Sequence, residues 1–389
     1  MVKTIIYVWK SAYPWDIRVE KICKSIQKYG FNVIILAKWK GEKDAVEIIE
    51  NIKVIRVGFN YPSFLNTALS FNPIWKNAIL KVIREYTPNL IIVREIFLAS
   101  LCGKIGKQYK IPVIIDMAEN YPAAMKVWRK YTNHFSTRFL IQNLKYIDKI
   151  EKQAAKSVNG IITVCKENSL RVIEKYKFKS DDIIEIHNTF PIKLAESFNI
   201  GKNFNPNKIT FGHHGNLTDE KKIDIFLKGF LQFAQEFKES KFIIAGDGHS
   251  IPELKKIWES ANNKTTVIFT GKYNFNELDG IINQIDVGVL PYQVNDFNNF
   301  TIHNKLFDYF AAGRPVLTSE TAPFKRIIND TKTGAFINCS TPESVYEGLK
   351  RFVRLDLKSM SINSLVAFHE KYNWENDEKH LIEFINKFI

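Results

Sequence analysis

The sequence predicts a two-domain α/β protein built on parallel sheets, and three observations predict it. Short apolar runs alternate with amphipathic helical patterns through the first half of the chain. A polar stretch at residues 191–208, with Pro191, Gly201, Pro206 and four Asn, interrupts that rhythm. A second series of the same kind follows it. The length of 389 residues suits two domains of roughly 180 residues each better than one.

In the first series, Thr4–Trp9, Asn32–Ala37, Lys53–Val57, Leu90–Val93, Val113–Asp116, Gly160–Val164 and Ile183–Ile186 are expected as buried strands. Helical patterns such as Arg18–Lys28 separate several of them. The second series is Ile209–His213, Lys241–Ala245, Thr266–Thr270, Val287–Leu290 and Pro315–Thr318. This rhythm is that of two doubly wound, Rossmann-like units. The expected domains are residues 1–190, a linker at 191–208 and residues 209–374, facing each other across a cleft. The amphipathic helix 375–389 is a candidate to pack back on the first domain.

Hydrophobic residues make up 45% and charged residues 25%, a globular composition. The formal net charge is +14, which favours anionic partners without choosing among them. Cys23, Cys102, Cys165 and Cys339 are widely spaced with no CxxC pair, so neither a zinc site nor a disulfide framework is expected. Reduced thiols suit a cytoplasmic protein. The N-terminal apolar stretch is short and reads as a first strand, not a signal peptide. No run approaches the ~18 apolar residues that a membrane-spanning helix needs.

The second half carries the sharper chemical signals. Gly212-His-His-Gly-Asn-Leu217 lies at the end of a strand, with Lys221 and Lys222 close behind. Glycine there lets backbone approach a ligand, and a lysine in reach offsets phosphate charge. Ile243-Ile-Ala-Gly-Asp-Gly248 is a buried strand opening into a tight turn at Gly246 and Asp247. Asp286-Val-Gly-Val-Leu-Pro-Tyr292 leads through a polar loop to Thr301-Ile-His-Asn-Lys-Leu-Phe-Asp-Tyr-Phe-Ala-Ala-Gly-Arg-Pro-Val316. From Asn304 this last run predicts a helix closed by Gly313, with its N-terminus and Lys305 toward the ligand side. Asp308, four residues past Asn304, shares its face.

The run Asn304-Lys-Leu-Phe-Asp-Tyr-Phe-Ala-Ala-Gly-Arg-Pro-Val316 resembles the donor-site helix of the glycogen-synthase-like, group 1 or family 4 type of retaining glycosyltransferases, which have the GT-B fold. Gly215-Asn-Leu217 with Lys221 resembles that family's Gly-x-Leu…Lys segment, and Ala245-Gly-Asp-Gly248 its Gly-x-Gly turn. The resemblance implies a nucleotide-sugar donor, a UDP- or GDP-sugar, and a glycan or lipid-linked acceptor. It implies that Asp308 binds the ribose, that amides and polar groups around Thr301, His303, Asn304 and Lys305 hold the diphosphate, that Gly215, Asn216, Gly246, Asp247 and Leu306 belong to the same nucleotide-sugar site, and that Lys221 assists the leaving group. Two departures stand out. The family often carries two glutamates where this chain has Phe300 and Asp308, and an arginine where it has Asn216.

The first half supplies the acceptor-side candidates. The loop from Trp9 to Glu20 follows the first strand, and its Asp16 and Arg18 resemble residues common there in sugar transferases; the alternative is that Asp16 caps a helix and Arg18 is solvated. Ile114-Ile-Asp-Met-Ala-Glu-Asn-Tyr-Pro122 places Asp116 at a strand end with Glu119 beyond it. Glu119 is the candidate acceptor-side base, against the alternative of a helix cap. Arg94, Glu95, Lys166 and Glu167 are further candidates at strand ends, and His187-Asn-Thr189 is a candidate hinge. No nucleophile and no metal-ligand cluster stands out, so metal-independent transfer without a resident cofactor is expected.

Residues 126–156 hold eight Lys or Arg, at 126, 129, 130, 138, 145, 149, 152 and 156. Leu140, Leu144, Ile147 and Ala154 are expected on one face of a helix and Arg138, Lys145, Lys149, Lys152 and Lys156 on the other, with Tyr121, Trp128, Tyr131 and Phe135 before it. That pattern fits peripheral contact with an anionic membrane leaflet or, alternatively, a core-packed helix with a solvated face. No nucleic-acid-binding module is present. A bacterial surface-polysaccharide glycosyltransferase is the leading expectation. A GT-B nucleotide-sugar epimerase and a non-catalytic glycan- or nucleotide-binding protein are the alternatives, the latter kept open by Phe300.

Overall fold

The computed structural model describes residues 2–389 except Trp15, Glu42, Ser63, His134, Asn143, Leu144 and residues 262–265. The chain divides into two compact units, residues 1–186 with 378–389, and residues 187–377.

The first unit carries β1 (Thr4–Trp9), β2 (Asn32–Lys38), β3 (Val46–Ile49), β4 (Ile52–Val57), β5 (Leu90–Arg94), β6 (Val113–Asp116), β7 (Gly160–Thr163) and β8 (Ile183–Glu185). They form one sheet in the order β3-β4-β2-β1-β5-β6-β7-β8, parallel except for the β3–β4 pair. Every residue of β1 is buried, as a central parallel strand covered on both faces requires. The chain builds outward from β1 in one direction, then returns to add β5 on its other side. That reversal opens a crevice at the carboxyl ends of β1 and β5. β3 was not expected from the sequence. Its Val46 and Ile48 are 53% and 68% exposed, so it lacks the buried apolar run that marks the other strands.

The basic stretch departs from a single amphipathic helix. It is four helices, Tyr121–Val127, Arg129–Thr132, Phe135–Gln142 and Tyr146–Ser157. Lys145 has a φ of 46°, a left-handed backbone immediately before the helix Tyr146–Ser157 that no continuous helix contains. Leu140 is therefore not on the packing face. It is 41% exposed, while Ile141, Ile147 and Ala154 are buried. Tyr121 belongs to the core at 1% exposure, and Leu144 lies outside the described residues. Glu151 points inward, where both guanidinium nitrogens of Arg171 meet its oxygens at 2.8 and 2.9 Å.

The second unit carries β9 (Thr210–His214), β10 (Lys241–Ala245), β11 (Val267–Gly271), β12 (Val287–Leu290), β13 (Val316–Thr318) and β14 (Gly334–Phe336), all parallel, in the order β11-β10-β9-β12-β13-β14. β14 is a half-buried strand of three residues opened by a glycine, too short and mixed to read in the sequence. The core beneath the helix Ile223–Glu236 is aromatic. Phe211, Phe230 and Phe233 pack with ring centroids 6.0–6.2 Å apart, each fully buried. The reversal of strand order here lies between β9 and β12.

The polar stretch after β8 is tied to this second unit. Phe190 and Phe198 are buried with ring centroids 5.2 Å apart, and the buried Arg314 donates to the Asn199 carbonyl at 2.7 Å. His187 and Thr189 both meet Asp377, at 3.3 and 2.6 Å. The last helix, Trp374–Asn386, is shared by the division of the chain. From Glu378 onward it belongs to the first unit, where Phe384 and Phe388 crowd Gly160 and Glu378 pairs with Lys28 at 2.6 Å. Cys23, Cys102 and Cys165 are buried free thiols and Cys339 is half-buried.

Candidate functional site

The two polar turns of the second unit are built together. After β9 the chain turns at Gly215, with a φ of 99°, and after β10 it turns at Gly246, with a φ of 121°. Gly215 N–H donates to the Ala245 carbonyl at 2.8 Å and Leu217 N–H to the Asp247 carbonyl at 2.9 Å, so the parallel pairing continues past the strands. Any Cβ at Gly246 would lie 2.0 Å from the Gly215 carbonyl oxygen. A Cβ at Gly215 would lie 2.7 Å from Lys305 Cε and 2.9 Å from its Nζ. Glycine at 215 is thus what lets the Lys305 ammonium lie flat on the turn.

Lys305 opens the helix Lys305–Ala311, with Asn304 at its N-cap position. Leu306, Phe307, Tyr309 and Phe310 are buried, and Tyr309 Oη donates to the Gly212 carbonyl at 2.7 Å, which fastens the helix to β9. That anchoring fixes the half-buried faces of Lys305 and Asp308. Burial lowers the Lys305 ammonium from its ordinary value, and the nearby Asp308 carboxylate partly restores it. His214 Nε2 lies 3.6 Å from Asp308 Oδ2, and its Nδ1 lies 3.0 Å from Tyr273 Oη. Burial first, then Lys305 and His213, holds the His214 imidazole well below its usual range, so it is neutral. The neutral ring turns Nε2 toward the Asp308 carboxylate and Nδ1 toward the Tyr273 hydroxyl.

A second lysine, Lys221, acts on the same buried histidine, His303, as Lys305 does. Lys221 is 7% exposed, its Nζ 3.5 Å from His303 Nδ1 and 4.3 Å from the centroid of the Tyr292 ring. His303 Nε2 lies 3.0 Å from Asn298 Oδ1. Burial, then Lys221, Lys305 and His213, keep His303 neutral, so Nε2–H donates to Asn298 and Nδ1 accepts toward Lys221. Thr301 is buried and Phe300 half-buried at the end of the short turn Asn298–Phe300. Leu306 is committed elsewhere: its side chain is in the core and its amide donates to the His303 carbonyl. Asn216 and Asp247 are exposed at the tips of the two turns, where Asp247 Oδ1 accepts from the Gly248 amide at 2.7 Å.

In the first unit a buried ionic cluster occupies the crevice at the ends of β1, β5 and β6. Asp116, fully buried, accepts from Arg18 Nη2 at 2.8 Å, Arg94 Nη1 at 2.7 Å and Tyr7 Oη at 3.0 Å. Burial alone would raise the Asp116 carboxyl. The Arg18 and Arg94 charges, with hydrogen bonds from Arg18 and Tyr7, outweigh it and hold the group at about 2. Arg18 is 3% exposed and also donates to the Ile186 carbonyl at 2.9 Å, so it is not a solvated residue. Asp16 caps the helix Ile17–Lys28 by accepting from Val19 N–H at 3.0 Å, and Arg94 Nη2 lies 3.5 Å from its other oxygen. Lys10 pairs with Glu95 beside them. Glu119 is half-buried in the loop three residues past Asp116. Lys166 and Glu167 open the helix Lys166–Tyr176 after β7.

The structure therefore gathers Gly215, Gly246, Lys221, His303, Lys305 and Asp308 at one end of the second sheet, and Asp16, Arg18, Arg94 and Asp116 at one end of the first. Sequence reasoning missed His214, Tyr273 and Tyr292. The available signal was the pair His213-His214, two imidazoles inside an otherwise apolar strand.

Sequence models of two families divide the chain along the same lines. That of the glycosyl transferases group 1 matches residues 208–354, and that of glycosyltransferase family 4 matches residues 17–193. The chain belongs to the group 1 glycosyltransferases of the GT-B fold. Among relatives of this family, alpha-monoglucosyldiacylglycerol synthase of Acholeplasma laidlawii is 31% identical over 127 residues, 31% of this chain and 29% of that protein. Alpha-D-kanosaminyltransferase of Streptomyces kanamyceticus is 20% identical over 123 residues, 32% of this chain and 31% of that protein. The matched stretch thus spans less than a third of each relative. Solved structures extend the likeness of fold over the whole chain. Sucrose-phosphate synthase from Thermosynechococcus elongatus superposes with a TM-score of 0.74 at 13% identity, covering 99% of this chain and 98% of that one. Anabaena HepE, solved with UDP, gives 0.71 at 12% identity, covering 99% and 100%.

Proposed function

We propose that this group 1 glycosyltransferase moves a sugar from a UDP- or GDP-sugar to a glycan or lipid-linked acceptor, with retention and without a metal, in bacterial surface-polysaccharide synthesis. The observation that carries the donor side is that Lys305 lies on the Gly215 turn, that Lys221 and Lys305 both act on His303, and that Asp308 stands three residues past Lys305 on the same helix. Departure of a nucleoside diphosphate develops negative charge, and two preplaced ammonium groups stabilise it in a half-buried setting. Asp308, its carboxylate 3.6 Å from His214 Nε2, accepts hydrogen bonds from the ribose hydroxyls. The family relatives named above include a synthase of monoglucosyldiacylglycerol and a kanosaminyltransferase, and HepE was solved with UDP; these support a nucleotide-sugar donor and a sugar or lipid acceptor here.

Acceptor handling is assigned to Glu119 as base and Asp16 as hydrogen-bond partner. The Asp116 cluster acts through others: it holds Arg18 and Arg94, and so the loop that carries Asp16. Phe135, Phe139 and Leu140 are 85%, 43% and 41% exposed beside the exposed cations Lys126, Arg129, Arg138 and Lys145. That mixture supports peripheral docking on the inner, anionic leaflet of the plasma membrane.

A thermal-shift screen over UDP, GDP, ADP, CMP and dTDP tests the donor reading. One of them, at about 100-fold its Kd, is expected to stabilise the native state by about 2.7 kcal/mol. No shift with any of the five would remove the donor site. Glu119→Ala is expected to lower turnover while nucleotide binding stays at the wild-type level; an unchanged rate would remove the base assignment.

A further inference from the structure

The second unit holds a cavity of about 640 Å³ that none of the donor-side residues above lines except through Tyr292. It lies where the ends of β12, β13 and β14 meet the start of the helix Ile223–Glu236 and the end of the helix Pro342–Phe352. The volume falls within the ~300–1,000 Å³ of small-molecule sites.

Its charged lining is two cations and one carboxylate. Lys222 and Arg351 both contribute, and among the described residues neither side chain has a hydrogen-bond or ion-pair partner. The one carboxylate, Glu320, pairs with Lys325 at 3.0 Å. Lys222 is also the N-cap position of a 14-residue helix, in a left-handed conformation with a φ of 53°, and no side chain caps that helix. Its first amides face this end, and they favour an anion despite Asp224 in the first turn. An independent observation points to a ligand. Ser319 lines the cavity at 3% exposure, and its Oγ has no hydrogen-bond partner. A buried hydroxyl left unpaired is costly, and an oxyanion seated beside it recovers that cost. Phe336 and Ile337 give the cavity an apolar wall as well.

We propose that this cavity binds a small phosphomonoester with a ring-sized body, its phosphate held by Arg351, Lys222 and Ser319 and its body against Phe336 and Ile337. Arg351 presents the forked donor that matches a phosphate, and Lys222 supplies a point charge. The proposal does not rest on the donor reading. Tyr292 is the shared wall, with the cavity on one side and Lys221 over its ring.

Titration calorimetry of the full chain with phenyl phosphate tests it, with phenol as the uncharged control. Wild type is expected to bind phenyl phosphate and not phenol. Arg351→Ala and Lys222→Ala, both at partly or fully exposed side chains, are each expected to weaken binding about tenfold, as loss of a charge-assisted hydrogen bond implies, with unchanged melting temperature. Lys325→Ala is expected to leave it unchanged. Saturating nucleoside diphosphate is expected to leave it intact. Absence of binding by wild type, wild-type affinity in the Arg351→Ala Lys222→Ala double variant, equal binding of phenol, or displacement by the nucleoside diphosphate would each overturn the proposal.

Discussion

Asp116 shows how one residue organises the end of a sheet. Its carboxylate is fully buried between two guanidinium groups and a tyrosine hydroxyl, so removing it leaves two cations without their shared partner. Asp116→Ala is expected to destabilise the protein by about 3–5 kcal/mol in a urea melt, the cost of breaking a buried pair. The buried imidazoles set the acid sensitivity. Burial, with Lys305 next, lowers His213 and His214 well below 6.5, while in the unfolded chain both titrate near 6.5. Below that pH the unfolded state binds protons that the folded state refuses, so stability is full above 6.5 and falls as pH drops. Each of the two is expected to contribute up to about 1.4 kcal/mol per pH unit to that loss. Urea melts between about pH 7.5 and 5.5 check it, and His214→Gln should flatten the dependence. Asp308→Ala is expected to weaken nucleoside diphosphate binding by about 10- to 100-fold, with a smaller loss for His214→Ala, since only the first removes the proposed acceptor of ribose hydrogen bonds. The placement of Asp308 on one helix with Lys305 was legible because both lie in one contiguous motif. The Asp116 cluster was not, because Arg18 and Asp116 are 98 positions apart in sequence, and nothing in either neighbourhood announces the other.

At the scale of elements, the turn after β9 and the turn after β10 are one construction. Gly246→Ala is expected to cost more than about 1 kcal/mol, because a Cβ there meets the Gly215 carbonyl and the φ of 121° suits glycine alone. Gly280→Ala, inside the helix Leu278–Ile282 with nothing within 4 Å, is expected to raise stability by about 0.4–1 kcal/mol. Thermal melts of the two variants distinguish a packing glycine from a dispensable one. The long buried strands were legible, since an uninterrupted apolar run such as Thr4–Trp9 has few other folds open to it. β3 and β14 were not, because their pairing is decided by the neighbours they lie against. The basic stretch failed as a single helix for a related reason. Helical periodicity continues through 138–156, but the left-handed backbone at Lys145 breaks it, and periodicity carries no sign of such a break.

For the whole molecule, the charge of +14 bears on partners rather than on fold. Flotation with liposomes is expected to recover the protein with anionic vesicles and far less with neutral ones, and the difference should shrink as salt rises beyond physiological strength. Equal recovery from both would remove the membrane reading. The sequence by itself determined the two Rossmann-like units, the order of the second unit's motifs and the family, because these reside in local runs of residues whose chemistry is fixed by neighbours in the chain. Only the tertiary structure decided that Lys305 lies on the Gly215 turn, that His214 faces Asp308, that Arg18 is buried on Asp116, and that a cavity with two unpaired cations lies beyond Tyr292. Each of these depends on which strand ends the sheet places side by side, and strand order is set by long-range packing that no local pattern encodes.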